Sequence, residues 1–210
     1  MRVAVVQLLL MFVCLAASAW AGDLPDFDSD YAADQWLREH SAYYQKMVAE
    51  IEKRTGYTFR RSGEIPAGLL VWESGRMVVE MSNKLSGAKR VSILIFEITN
   101  GYQSAKHQEV DAGANSGRIT SPREFGILHE LVELDGLRHH RAVLEDLDQT
   151  IHGIPAAMLE WIVPDLKTLH DYQVPYAYDF LKAQEASGHT GHYHEWFYKQ
   201  APAGSRPARP

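Results

Sequence analysis

A single cysteine, Cys14, lies inside an N-terminal run with no charged side chain from Val3 to Ala21, so the chain beyond that run must hold itself together by packing alone. No disulfide and no thiolate metal site is available to it. The run has the grammar of a secretory signal. Met1-Arg2 supplies one positive charge, Val3 to Ala16 is strongly apolar, and Ala19-Trp20-Ala21 is a small-x-small triplet of the kind signal peptidases cut. The apolar stretch is shorter than the roughly 20 residues a spanning helix requires. Cys14 follows Met11-Phe12-Val13 rather than small residues, which is the wrong context for lipid attachment. The sequence therefore predicts a signal peptide over 1–21, a mature N-terminus at Gly22, a secreted or periplasmic location, and no membrane span after cleavage. Cleavage removes one Arg and no acid from the totals of 21 Lys+Arg and 27 Asp+Glu, leaving 189 residues with a net charge of −7. That is enough chain for a sizeable core, and its charge disfavours nucleic acid and anionic lipid as partners.

Hydrophobic patterning predicts an α+β fold with an N-terminal helix, a small antiparallel or mixed sheet, and a mostly helical C-terminal half. Asp28-Ser29-Asp30 are good N-cap residues, and a helix follows from Tyr31 to Arg54 with Gly56 as its stop. Tyr57-Thr58-Phe59, Leu69 to Trp72, Met77 to Met81 and Val91 to Ile95 are short apolar runs that read as strands, with Glu73-Ser74-Gly75-Arg76 as a hairpin turn. A helix is expected from Glu97 to about Asp111 and a loop over Gly113 to Gly117. Ser121-Pro122-Arg123-Glu124 is a capping box with proline at the first helical position, starting a helix that reaches about Leu147. Pro155, Pro164 and Pro175 punctuate further helical segments. Residues 22–200 are expected to form one domain and 201–210 a disordered tail.

The segment Leu94-Ile95-Phe96-Glu97-Ile98-Thr99-Asn100-Gly101 has the frame of the zinc-peptidase helix motif H-E-x-x-H, in which residues i and i+4 share a face and the glutamate between them activates water. Phe96 and Asn100 occupy the two ligand positions. Phenylalanine cannot bind zinc and asparagine binds it poorly. Together with Glu130-Leu131-Val132-Glu133 about 30 residues later, the segment resembles a bacterial family of metallopeptidase-like domains that carry phenylalanine-glutamate-x-x-asparagine-alanine. The resemblance covers about Val91 to Leu144, and Gly101 stands where the family has alanine. It implies a zincin-like arrangement whose zinc ligands have been lost or moved.

A polar stripe on the later helix adds candidates. His129, Glu133 and His140 fall within about 40° of one another at 100° per residue, with Gly136 in the same stripe to let another backbone approach closely. Asn100, Ser104, His129, Glu133 and His140 are thus the expected polar or ligand-binding cluster. Glu97 and Glu130 are candidate general bases, and His129 with Glu133 the candidate metal ligands. His189, His192, His194 and Glu195, loosened by Gly188 and Gly191, read as a polar surface loop. No phosphate loop, nucleophile elbow or dinucleotide fingerprint is present. Two functions stay open. One is a non-catalytic binding protein of the cell envelope with a protein or peptide partner and no cofactor, the other a metal-dependent hydrolase of peptidase-like type with non-standard ligands, zinc being the candidate metal.

Overall fold

The computed structural model describes residues 24–25, 27–159 and 166–202. The predicted signal peptide, Pro164 and most of the C-terminal tail lie outside them. Among the described residues seven α-helices accompany one three-stranded mixed sheet, the α+β class the patterning implied. None of these helices is long and apolar enough to cross a membrane. The described residues gather into two compact units, those up to 98 with those from 141 to 172, and those from 99 to 140 with those from 173 onwards.

In the first unit, α1 (Asp30–His40) and α2 (Ala42–Arg54) replace the single helix expected over Tyr31 to Arg54. The break is at Ser41, whose backbone is extended (φ −132°, ψ 112°) and whose Oγ accepts from the Tyr44 N–H. Ser41 Oγ also donates to Asp146 Oδ2 at 2.8 Å, and the same oxygen accepts the Tyr43 N–H at 2.9 Å. A distant carboxylate thus satisfies donors that a helix start leaves open. Asp34 accepts hydroxyl hydrogen bonds from Tyr44 and Tyr57, each at 2.6 Å, and the Arg38 Nε–H at 2.9 Å.

Strands β1 (Tyr57–Ser62), β2 (Gly68–Glu73) and β3 (Arg76–Ser82) assemble in the order β1-β3-β2, with β1 parallel and β2 antiparallel to β3. Ser74 and Gly75, at φ 50° and 79°, close a two-residue turn, and positive φ at both positions is what matches the twist of a tight hairpin.

Val91 to Ile95 is not a strand: it lies within α3 (Gly87–Tyr102). All five residues are fully buried, Ser92 included, with its Oγ donating to the Met158 carbonyl at 2.6 Å. A helix buried on every side is apolar all round, and its sequence loses the period that separates it from a strand. The helix expected from Glu97 is therefore present but begins ten residues earlier.

In the second unit, α3 ends at Tyr102 and α4 runs Ser104–Asn115, with Gln103 near the bridge region (φ −89°, ψ 3°) between them. The expected helix from Glu97 to Asp111 is thus two. Gly113 is not in a loop but in the last turn of α4, where a Cβ would come within 2.6 Å of Ile119 Cδ1. Helix α5 (Pro122–Ile151) starts at the predicted capping box, the Ser121 Oγ accepting from the Glu124 N–H at 3.4 Å. Helix α6 (Ala177–Ser187) follows Pro175 and stops at Gly188, whose φ of 83° ends one helix and admits the next. Helix α7 (His189–Gln200) occupies the segment expected to be a polar loop. Thr190, Tyr193 and Phe197 bury one of its faces, and Ala201, at the start of the predicted tail, is itself buried in the cluster of Phe125, Ile119 and Phe197.

Candidate functional site

Helix α5 carries Glu130 and Glu133 at a spacing of three, which places both carboxylates on one face. Helix α7 sets His189 and Tyr193, four apart, against that face. Gly126, one turn earlier on α5, permits the approach: a Cβ there would come within 3.0 Å of Thr190 Cγ2 and 3.2 Å of the His194 ring.

Glu130 is fully buried, and its Oε1 accepts from His189 Nδ1 and from the Thr190 hydroxyl, each at 3.0 Å. Its Oε2 is also buried and has no hydrogen-bond partner. Glu133 accepts from the Tyr193 hydroxyl, and its Oε2 lies 3.9 Å from His189 Nε2. Burial raises the Glu133 carboxyl above its ordinary range, against the opposing pull of His189. The hydrogen bond to Glu130 raises the His189 imidazole. Burial foremost, then the Glu133 charge, pushes the Tyr193 hydroxyl up, so it stays a donor. One ligand atom from each of Glu130, Glu133 and His189 lies within 4.8 Å of the other two, an arrangement that can hold a metal ion.

His129 does not join Glu133 as a ligand pair. Its buried ring is stacked on Tyr193 (centroids 4.6 Å, 4°), packed beside the Phe125 edge at 4.4 Å and stacked on His107 at 5.1 Å. Its Nε2 is 3.3 Å from Asp111 Oδ1 and its Nδ1 is 2.8 Å from His107 Nδ1. One of two imidazole nitrogens so close must be unprotonated to accept. Burial and the His129 neighbour push His107 down to about 4.

A histidine whose folded-state pKa is depressed contributes stability that is complete above its unfolded value near 6.5 and is lost as pH falls towards 4. Between pH 7 and pH 4.5 this loss should be about 2–3 kcal/mol. Urea denaturation at the two pH values should show a drop in the wild type that is smaller by this amount in His107→Gln; equal drops would refute the assignment.

Glu97 belongs to the first unit, where it is buried and where a Cβ on Gly68 would come within 2.7 Å of its Cγ and Oε1. In the second unit Asn100 and Gln103 line Gly136, and side chains rather than a backbone make the close approach: a Cβ there would meet Gln103 Nε2 at 3.2 Å and Asn100 Oδ1 at 3.4 Å. Ser104 is buried at the start of α4, and His140 is buried on α5. Phe96 offers no ligand atom, so the residues at 96 and 100 do not fit a zinc ion in the usual peptidase frame. A cleft of about 620 Å³, whose lining includes Val110, Ile119, Leu128 and Leu131, contains none of Glu130, Glu133 and His189.

Sequence reasoning missed Thr190, Tyr193, His107 and Asp111, and it placed His189 in a polar surface loop where the structure has a helix. A signal existed for each pair, since His189 and Tyr193, and likewise His107 and Asp111, are spaced by four. No family model matches the chain, and no curated protein or solved structure does either.

Proposed function

We propose that the chain is an exported cell-envelope protein whose degenerate zincin-like domain binds an extended peptide or protein segment rather than cutting one. One observation carries this reading: the buried Glu97 carboxylate lies against Gly68 of β2, a strand at the edge of the sheet with Leu69 45% and Trp72 42% exposed. An edge strand offers backbone donors and acceptors to an extended partner, and exposed apolar side chains on it give that partner surface to bury. Phe96 and Asn100 withhold the ligands that would turn α3 into a peptidase helix. Export rests on residues 1–21 and implies a mature protein beginning at Gly22, which intact mass would report.

The mature protein should retain a subset of short unstructured peptides on an array and cleave none of them. The double variant Leu69→Lys, Trp72→Lys changes only exposed side chains and should weaken retention by roughly tenfold, about 1.4 kcal/mol. Unchanged retention in that variant, or peptide cleavage lost on Glu97→Gln, would overturn the reading.

A metal-dependent hydrolase of peptidase-like type has one observation in its favour, the convergence of Glu130, Glu133 and His189. Zinc on these three would keep a coordination position for water. In this reading Glu130 and His189 take the place of His129 beside Glu133 in the ligand set. Stoichiometric zinc accompanied by peptide hydrolysis would favour it.

A further inference from the structure

The attachment of α7 to α5 is polar at one end and apolar at the other. Phe197 and Ala201 are buried in the cluster around Phe125. The first turn, by contrast, meets α5 through His189, Thr190 and Tyr193 on two carboxylates. That turn follows Gly188, at φ 83°, and the preceding α6 buries only Phe180. Beside these bonds, the first turn is held by the packing of Thr190 on Gly126 and the stacking of Tyr193 on His129.

The carboxylate pair is short of positive charge. Glu130 is fully buried, yet only its Oε1 is bonded; Oε2 is buried without a hydrogen-bond partner. Two carboxylates beside one imidazole make a site whose charge suits a divalent cation. The ligand atoms lie within 4.8 Å of one another and need to close to about 3.4 Å, the edge of a tetrahedron with bonds near 2.1 Å. Calcium takes six or more oxygens and magnesium an octahedron of them, whereas two carboxylates and a histidine nitrogen suit zinc and its neighbours in the first transition row.

We propose that a divalent transition-metal ion of the zinc class binds Glu130, Glu133 and His189 and acts as a clasp that fixes the first turn of α7 on α5. The inference rests on the metal-carrying capacity invoked for the hydrolase reading and is independent of any hydrolysis. Ligands from both helices meet at the ion, so its loss loosens the α7 start while Phe197 and Ala201 still anchor the end.

The test uses the mature protein stripped of metal by a chelator and titrated with zinc, magnesium or calcium chloride. Isothermal titration calorimetry should give one zinc per chain, and hydrogen exchange over 189–200 should slow by roughly tenfold on zinc addition, strongest in the first turn. Magnesium and calcium at the same concentration should do neither. Glu133→Gln and His189→Gln, one on each helix and neither fully buried, should each abolish zinc binding and the added protection. Absence of stoichiometric zinc binding overturns the clasp and the metal site together. Stoichiometric binding that leaves exchange in α7 unchanged overturns the clasp alone, and binding that survives both substitutions places the ion elsewhere and overturns the assignment.

Discussion

Phe125→Ala should destabilise the second unit by about 3–5 kcal/mol, the usual cost of emptying a phenylalanine site in a packed core. Phe125 is fully buried, with Phe197 at 5.7 Å between ring centroids and the His129 ring at 4.4 Å. Ala114, Ile119, Tyr193 and Ala201 complete the cluster. The substitution removes both the apolar joint between α5 and α7 and the wall that keeps water from the His129 ring. Urea unfolding followed by hydrogen exchange of α5 and α7 should report the loss in both helices, with Phe125→Leu costing clearly less. A change below about 1 kcal/mol for the alanine variant would mean that α7 is held by its polar contacts and not by this cluster.

Asp34→Ala should cost a similar amount in the first unit, about 3–5 kcal/mol, for a different reason. Asp34 is the shared acceptor of the Tyr44 and Tyr57 hydroxyls and of the Arg38 Nε–H. Burial above all, and the Asp34 charge after it, raises both tyrosines, which remain donors throughout the working pH range. Without the carboxylate the buried Tyr44 hydroxyl loses its acceptor, and Arg38 keeps only Glu52 as an acidic partner. Asp34→Asn preserves the shape and one acceptor oxygen and should fall between wild type and alanine. Chemical denaturation of the three proteins gives the comparison, and an alanine variant as stable as the asparagine one would refute a charge-centred network.

Local chemistry was the legible part of the sequence. Ser74-Gly75 permits positive φ twice in succession, and Ser121-Pro122-Arg123-Glu124 satisfies a helix start from within four residues, so the hairpin and the α5 start were readable where they stand. Features that depend on distant partners were not. Ser41 interrupts a periodic helical stretch because Asp146, 105 residues away, takes its hydroxyl. Val91 to Ile95 reads as a strand only until it is known that every side of the segment is covered.

The candidate site divides along the same line. Glu130 and Glu133 could be found from their spacing on one helix. The helical spacing of His189 and Tyr193 was masked, because it depends on Gly188 restarting a helix and on Gly191 sitting inside it, a position where helix propensity argues for a break. The tertiary burial of Thr190, Tyr193 and Phe197 overrides that preference.

Asp146 also imposes an order of events. The chain is made from its N-terminus, and residues 30–98 exist before Asp146 and Met158 do, yet the start of α2 and the Ser92 hydroxyl depend on those two residues. Closing a loop of that length costs little more free energy than closing a shorter one, but contacts so far apart in sequence form slowly. The N-terminal unit therefore completes itself late, after the whole of the intervening 99–140 segment has emerged. A nascent chain lacks the acceptor for the Ser41 hydroxyl and the Tyr43 N–H until its last third arrives.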